Sequence, residues 1–320
     1  MSQLGEHALI DRIRARIPPS PPFVVVGIGD DVAVVEPDRN RLEVITTDSQ
    51  VEHVHFDQAF VGPADIGHRA LAVNLSDLAA MGATPRVALL SLVIPPSWPV
   101  SHLDALLDGM LALAERARVS IVGGNIARSP GPLVVDLTVT GSVHSRRILT
   151  RAGARAGDEL YVTGLLGGTA AGLQALQRSS GPPAASADRL ALRYLRPEPR
   201  LRFGILLGRN RAARACIDLS DGLADGVQRI GEASGLGAVI DAASIPIEPG
   251  ASLQEALSGG EDYELLFAVA PKLRRRLESV RRLHRELKVT RIGRLTPDRA
   301  LLLERNGKTE ELPRGFVHFS

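Results

Sequence analysis

The chain has 320 residues, 44% of them apolar, enough to bury a sizeable core in one large or two medium domains. A formal net charge of +2, with an isoelectric point near 9.0, supplies no field that would commit the whole chain to nucleic acid or an anionic membrane. The single cysteine, Cys216, excludes an internal disulfide and a cysteine-rich zinc site, and no stretch reaches the roughly 20 apolar residues of a membrane span.

Two domains are expected, and the polar N-terminus, with no apolar leader segment before Arg16, predicts a soluble, unprocessed, cytoplasmic protein. Residues 3–16 carry Leu4, Ala8, Ile10 and Ile13 at near-helical spacing ahead of Pro18 and Pro19, and read as a short helix. Next, Gly27-Ile28-Gly29-Asp30-Asp31 lies between the apolar runs 24–26 and 32–35. Glycine permits positive φ and close approach of a ligand, while adjacent carboxylates are costly unless a cation or water separates them, so this turn argues for a metal site. A strand at 42–45 runs into Thr46-Thr47-Asp48-Ser49, collecting four oxygen-bearing side chains at a strand end, where α/β folds place ligands. His53 and His55 follow in the alternating segment 51–56 and are expected on one strand face beside Asp48, with a binding role and a structural one both open.

Residues 63–81 read as one long helix, with Pro63 in its first turn and Gly82 just past its end. Asn74, Asp77 and Met81 share one face of it among Ala70, Leu71, Leu75, Leu78 and Ala79, where Asp77 either has a partner or faces solvent. A strand at 87–94, a helix at 100–118 and a short strand at 121–122 lead to Gly123-Gly124-Asn125, and a strand at 133–143 completes an N-terminal half.

The second half begins near Thr150. A strand at 159–163 meets the glycine-rich turn 164–169, which feeds a helix at 170–178 and either cradles phosphate on its N–H groups or simply joins the two elements. The Ser/Gly/Pro/Ala stretch 179–188 reads as a mobile loop. A strand at 215–219 ends in Asp218-Leu219-Ser220-Asp221-Gly222 and opens a helix to about Ser234, echoing Asn74-Leu75-Ser76-Asp77-Leu78-Ala79. Asp221 is there either an N-cap or a ligand. Gly259-Gly260-Glu261-Asp262-Tyr263-Glu264 precedes a strand at 265–269; residues 272–288 read as an amphipathic helix with a basic, solvated face, and 301–312 as a hairpin turning at Asn306-Gly307.

Familiar nucleotide loops are missing. Gly307-Lys308-Thr309 is no Walker motif, since Leu302 stands where glycine is needed, and Val32 stands in place of the third glycine of a dinucleotide fingerprint. What survives is carboxylates on turns, an oxygen-rich, sulfur-free chemistry that suits magnesium bridging a polyphosphate. Phosphoryl transfer asks mainly for alignment and charge neutralisation, and an acceptor that is already an anionic phosphate needs no general base.

Taken together, residues 27–31, Thr46-Thr47-Asp48 through Val54-His55-Phe56, 74–82, 218–222 and 259–265 resemble, in order, the motifs of the thiamine-monophosphate kinase family, within the aminoimidazole ribonucleotide synthetase superfamily. The likeness runs from about residue 24 to Phe316. It implies a two-domain fold of α/β (α+β) type: an N-terminal sheet domain, 1–149, that binds ATP and magnesium and joins a twofold mate in a homodimer, and a C-terminal α/β domain, 150–320. It implies ATP-dependent phosphorylation of thiamine monophosphate to thiamine diphosphate by direct in-line transfer assisted by several magnesium ions, with no general base and no nucleic-acid or membrane partner. By the same resemblance, metal ligands are expected at Asp31, Thr46, Thr47, Asp48, Asp77, Asn125, Asp218 and Asp221. Nucleotide contacts are expected at Gly124, Asn125, Arg151 and Ser220, and substrate contacts at His55, Glu261 and Phe316. The family carries an aspartate where this chain has Asn125, which offers a carbonyl oxygen without charge; Asp136, on the next strand, either compensates for it or, as read in preference, faces solvent at a sheet edge. His53 and Gln50 replace the family's glycine and leucine near the acceptor. These departures leave open a kinase or synthetase of the same superfamily with another small acceptor, or a nucleotide-binding homologue impaired in catalysis.

Overall fold

The structure, a computed structural model, describes residues 6–178, 189–313 and 315; the loop read at 179–188 and the substrate contact read at Phe316 lie outside them. The chain divides into two compact units. One takes the described residues up to Leu75 with Thr84–His144, the other Ser76–Ala83 and the described residues from Ser145 on.

In the first unit, α1 (Glu6–Arg16) precedes β1 (Val24–Val26) and β2 (Val34–Val35), which pair antiparallel around the Gly-Asp-Asp turn. Then come β3 (Leu42–Val51), α2 (Pro63–Ala80), β4 (Thr84–Ile94), α3 (Val100–Ala117), β5 (Ser120–Arg128) and β6 (Val134–Val143). The four long strands form one sheet in the order β3-β6-β4-β5, antiparallel except for β4 with β5. That parallel pair needs a crossover, and α3 supplies it. Alternation divides the sheet into a buried face, with Leu90, Leu92, Val135, Leu137 and Val139, and an open one on which Ile45 is 67% and Leu89 41% exposed. Helices α2 and α3 cross backbone to backbone: a Cβ on Gly67 would overlap the Leu106 carbonyl, and one on Gly109 the Ala64 carbonyl. The end of α2 follows its local signals, since Gly82 adopts φ 65° and the Ala83 N–H returns to the Leu78 carbonyl at 2.9 Å.

The second unit contains β7 (Glu159–Thr163), α4 (Gly168–Arg178), α5 (Arg189–Leu195), α6 (Leu201–Asn210), β8 (Ala215–Asp218) and α7 (Leu223–Ser234). These are followed by β9 (Gly237–Asp241), α8 (Leu253–Ser258), β10 (Leu265–Val269), α9 (Arg274–Leu283), β11 (Val289–Thr296), β12 (Leu301–Arg305) and β13 (Lys308–Glu311). Its sheet runs β13-β12-β9-β11-β7-β10-β8. Strands β7, β8 and β10 are buried on both faces, which is why they read as unbroken apolar runs. Leu160, Val162, Ile217 and Leu266 pack with Leu223, Val227 and Ile230 of α7; Tyr161, Cys216 and Phe267 pack with Phe203 and Leu207 of α6 and Leu277 and Val280 of α9.

Several expectations need correcting. Thr46-Thr47-Asp48-Ser49 lies in mid-strand, because β3 pairs with β6 without interruption to Val51. Gly123-Gly124-Asn125 is part of β5 and not a turn after a short strand, since pairing with β4 continues to Arg128. Asp136 lies on β6, an inner strand, not at a sheet edge. The helix read at 272–288 is shorter: residues Pro271–Leu273 form a 3-10 turn, and α9 ends at Leu283. Among the described residues no helix is long and apolar enough to cross a membrane.

Candidate active site

The first unit spreads its candidate residues over a turn and both sheet faces. Asp31 is exposed on the turn after β1, its N–H bound by the Asp30 carboxylate at 2.8 Å. On β3, Thr46 and Asp48 stand opposite the buried Val139 and Leu137, so their side chains share the covered face with Gln50. Thr47 points the other way: its hydroxyl donates to the Leu137 carbonyl at 3.1 Å and meets Asp136 at 3.3 Å and Thr138 at 3.1 Å. The three neighbours therefore do not present three side chains to one ion. Ser49, Asp136, Ser91 and Asn125 form a single row across the open face, which puts Asn125 on the side of Thr47 and not that of Asp48. Gly124 lies so close to β4 that a Cβ would overlap the Leu90 carbonyl.

The two histidines do not share a strand face, because the strand ends at Val51 and the chain turns. His53 adopts φ 68° and places Nδ1 3.4 Å from Asp57, whereas His55 folds back so that its Nδ1 accepts the Val51 N–H at 3.1 Å. That bond makes Nδ1 an acceptor and leaves the proton of the neutral ring on Nε2.

The second unit gathers its candidates more tightly. Asp77 is half-buried near the end of α2, neither lost in the core nor fully in solvent. One residue earlier, the Ser76 hydroxyl donates to the buried Asp218 carboxylate at 2.7 Å, so the two echoing segments touch each other. Beyond β8 the chain turns through Ser220, whose hydroxyl lies 3.2 Å from the Asp221 carboxylate, into α7. The residue flanking that helix is Gly222, with no side-chain cap, so Asp221 is not the N-cap. Asp225, one turn into α7, is a group the motif reading passed over, although its i+4 spacing from Asp221 was there to see. Burial pushes its carboxyl up, with Asp221 adding to the rise, against the pull of Arg229 and of the exposed Arg151.

Glu261 belongs to a strained turn. Gly260, Glu261 and Tyr263 all adopt positive φ, 73°, 56° and 50°, at a cost of about 1–3 kcal/mol for each non-glycine residue. The Glu261 N–H donates to the Ser220 carbonyl at 2.6 Å and the Tyr263 N–H to the Leu219 carbonyl at 3.0 Å, which fixes Glu261 against the Asp218–Asp221 loop. Between them, the buried Asp262 accepts the N–H groups of Gly167 at 2.6 Å and Thr169 at 3.2 Å. The glycine-rich turn thus spends two of its N–H groups on a carboxylate of the chain itself and two more, those of Gly164 and Leu166, on the Lys288 and Pro246 carbonyls, which favours the structural reading over the phosphate cradle. Burial pushes the Asp262 carboxyl up to about 6, against those two N–H groups and Arg193.

Among the described residues no three His, Cys, Asp or Glu side chains gather closely enough to hold an ion unaided. Acids set in ones and twos, with hydroxyl and carbonyl oxygens around them, fit magnesium, whose shell is normally completed by water and substrate phosphates.

The chain matches known proteins along most of its length. Residues 29–143 match the AIR synthase related protein, N-terminal domain, and residues 155–304 the corresponding C-terminal domain. The chain is 42% identical to the thiamine-monophosphate kinase of Escherichia coli K12, over 99% of this chain and 98% of that protein, and 38% identical to that of Bacillus subtilis 168, over 77% and 78%. Among solved structures it resembles thiamine-monophosphate kinase from Stenotrophomonas maltophilia K279a, with a TM-score of 0.84, 37% identity, and coverage of 94% and 97%. It also resembles AaThiL complexed with AMPPCP and TMP, with a TM-score of 0.76, 30% identity, and coverage of 100% and 98%.

Proposed function

Since the chain belongs to the thiamine-monophosphate kinase family, with the two-domain fold of AIR synthase related proteins, we propose that it works by direct, magnesium-assisted, in-line transfer between two bound phosphates. It uses ATP to phosphorylate thiamine monophosphate, giving thiamine diphosphate for thiamine biosynthesis. What carries this reading is the end-to-end alignment with AaThiL in complex with AMPPCP and TMP.

In the first unit, Asp31, Thr46, Thr47, Asp48 and Asn125 would hold magnesium, Gly124 and Asn125 the nucleotide, and His55 the acceptor. Thr47 would use its main-chain carbonyl wherever it shares an ion with Asp48, since their side chains diverge. In the second unit, Asp77, Asp218 and Asp221 would hold magnesium, Arg151 and Ser220 the nucleotide, and Glu261 the acceptor, with Phe316, outside the described residues, as a further acceptor contact. Bound magnesium would supply charge neutralisation along the triphosphate and orient it. The chain's own part is alignment. Glu261, held to the Ser220 carbonyl, keeps the acceptor residue in register with the nucleotide residue beside it. No side chain is needed as a base, because the attacking oxygen belongs to a phosphate that is already an anion.

In this reading residues 1–149 form the domain that dimerises and residues 150–320 the second domain, and both contribute to ATP and magnesium binding, the second through Arg151, Asp218, Ser220 and Asp221. A homodimer is supported by the open sheet face, where Ile45 and Leu89 expose apolar surface that a twofold mate would cover. A cytoplasmic setting accords with the lone, buried Cys216.

The deciding experiment incubates the protein with ATP, magnesium and thiamine monophosphate and resolves the products by chromatography. Thiamine diphosphate should appear; ATP turnover with none formed would refute the acceptor. Asn125→Asp tests the amide in place of the family's carboxylate. It should lower the magnesium concentration needed for half-maximal rate by about tenfold, a gain of roughly 1.4 kcal/mol for a charged ligand over a neutral one. An unchanged magnesium requirement would remove Asn125 from the metal site.

A further inference from the structure

The turn that carries Glu261 is one the chain would not adopt unaided. Three of its four residues, Gly260, Glu261 and Tyr263, sit in the left-handed region, and two of these are not glycine. On one side the turn is tied by its backbone to the Ser220 and Leu219 carbonyls. On the other it is tied by the side chain of Asp262. Both carboxylate oxygens of Asp262 are engaged, by Gly167 N–H and Thr169 N–H at the start of the 11-residue helix α4, and among the described residues these are its only hydrogen-bond donors. A carboxylate only 4% exposed, without a cation in hydrogen-bond contact, is a costly way to cap a helix that serine or asparagine could cap. Its placement between Glu261 and Tyr263 gives that cost a purpose. Asp262 is buried and its neighbour Glu261 is half-exposed, so fixing Asp262 against α4 fixes the backbone from which Glu261 projects.

We propose that Asp262 is the positioning residue that holds Glu261 in its strained conformation for the phosphorylated acceptor. This rests on the reading of Glu261 as an acceptor contact. Asp262 touches neither substrate nor nucleotide; it acts through Glu261. The fixed end of α4 favours the negative charge, and the two N–H donors impose an orientation that a single cap would not.

Asp262→Asn keeps the shape but turns an amide NH2 toward one of the two N–H donors, so one hydrogen bond is lost and the turn is free to relax. The KM for thiamine monophosphate should rise about tenfold or more, while the KM for ATP stays within about twofold. In a Glu261→Gln background the same substitution should no longer change the KM for thiamine monophosphate, because the residue it acts through is gone. A folded Asp262→Asn protein with an unchanged acceptor KM, or with both KM values raised alike, would overturn the inference. So would a rise that persists undiminished beside Glu261→Gln.

If Asp262→Asn does not fold, the wild type decides by amide hydrogen exchange. Thiamine monophosphate should slow exchange at Gly167 and Thr169 beyond the effect of a non-hydrolysable ATP analogue alone, and no added protection would overturn the inference. Failure of the acceptor reading is separate and visible at once, as a wild type that turns over ATP without making thiamine diphosphate.

Discussion

Asp218→Asn should lower the rate of thiamine diphosphate formation by about a hundredfold or more while leaving the protein folded. The side chain is buried at the end of β8 and accepts the Ser76 hydroxyl at 2.7 Å, so an isosteric amide can keep that bond through its carbonyl oxygen. What it loses is charge. If Asp218 holds magnesium against the triphosphate, a neutral ligand weakens the stabilisation of the transferring phosphoryl group, and removal of one such electrostatic group commonly costs about 10²–10³ in rate. The half-saturating magnesium concentration should rise with it. Ser76→Ala is the control: it removes the hydrogen bond and keeps the carboxylate, and its effect on rate should stay below about tenfold. A near-normal rate in a folded Asp218→Asn protein would reduce Asp218 to an acceptor for Ser76 and take it out of the metal site. The measurements are initial rates over a magnesium series and a thermal unfolding midpoint for each variant.

The parts of the fold that were legible carry their signals locally. Helix α2 was readable because Pro63, an apolar helical period and Gly82 lie within one segment, and the hairpin of β12 and β13 because Asn306 and Gly307, at φ 52° and 75°, meet the demands of a tight turn. Strand β3 was misjudged because Thr46-Thr47-Asp48-Ser49 has the composition of a loop, and what holds it extended is a ladder to β6, whose partners Leu137 and Thr138 lie some ninety residues on. The same override hid β5, where two glycines suggest a turn until β4 is placed beside them. In the site, the acids stood out as residue types, but their arrangement did not. Ser76 and Asp218 are 142 positions apart, and Asp262 and Gly167 are 95. Nothing within a short window says that Asp262 is buried against a helix end while its neighbour Glu261 is half-exposed, nor that Thr47 and Asp48 fall on opposite faces of a strand.

Glu264→Gln should be the most destabilising conservative substitution in the second unit, costing about 3–5 kcal/mol. The Glu264 carboxylate is fully buried at the start of β10. It is met by Arg200 through Nε at 2.7 Å and a terminal nitrogen at 2.5 Å, by Arg193 at 3.2 Å and by the Thr163 hydroxyl at 2.7 Å. Glutamine preserves the volume but leaves two guanidinium groups without their shared counter-charge, and it turns an NH2 donor toward other donors. Burial alone would raise the pKa of Glu264, but Arg200, Arg193 and Thr163 outweigh it and hold the carboxyl below its ordinary 4.5. The sign of the pH dependence follows. A carboxylate whose pKa is depressed by folding contributes its full stability above about pH 4.5 and loses it as pH falls through the lower native value. The gap between wild type and Glu264→Gln in urea midpoint should therefore be constant near neutrality and shrink below about pH 4.5. A gap that persists at acid pH would mean that shape rather than charge holds this site. The consequence reaches the chemistry, because the Leu219 N–H donates to the Glu264 carbonyl at 2.8 Å, one residue beyond the turn that carries Glu261. Loosening the ion pair should loosen the Asp218–Asp221 loop with it, so activity in Glu264→Gln should fall at temperatures well below its unfolding midpoint.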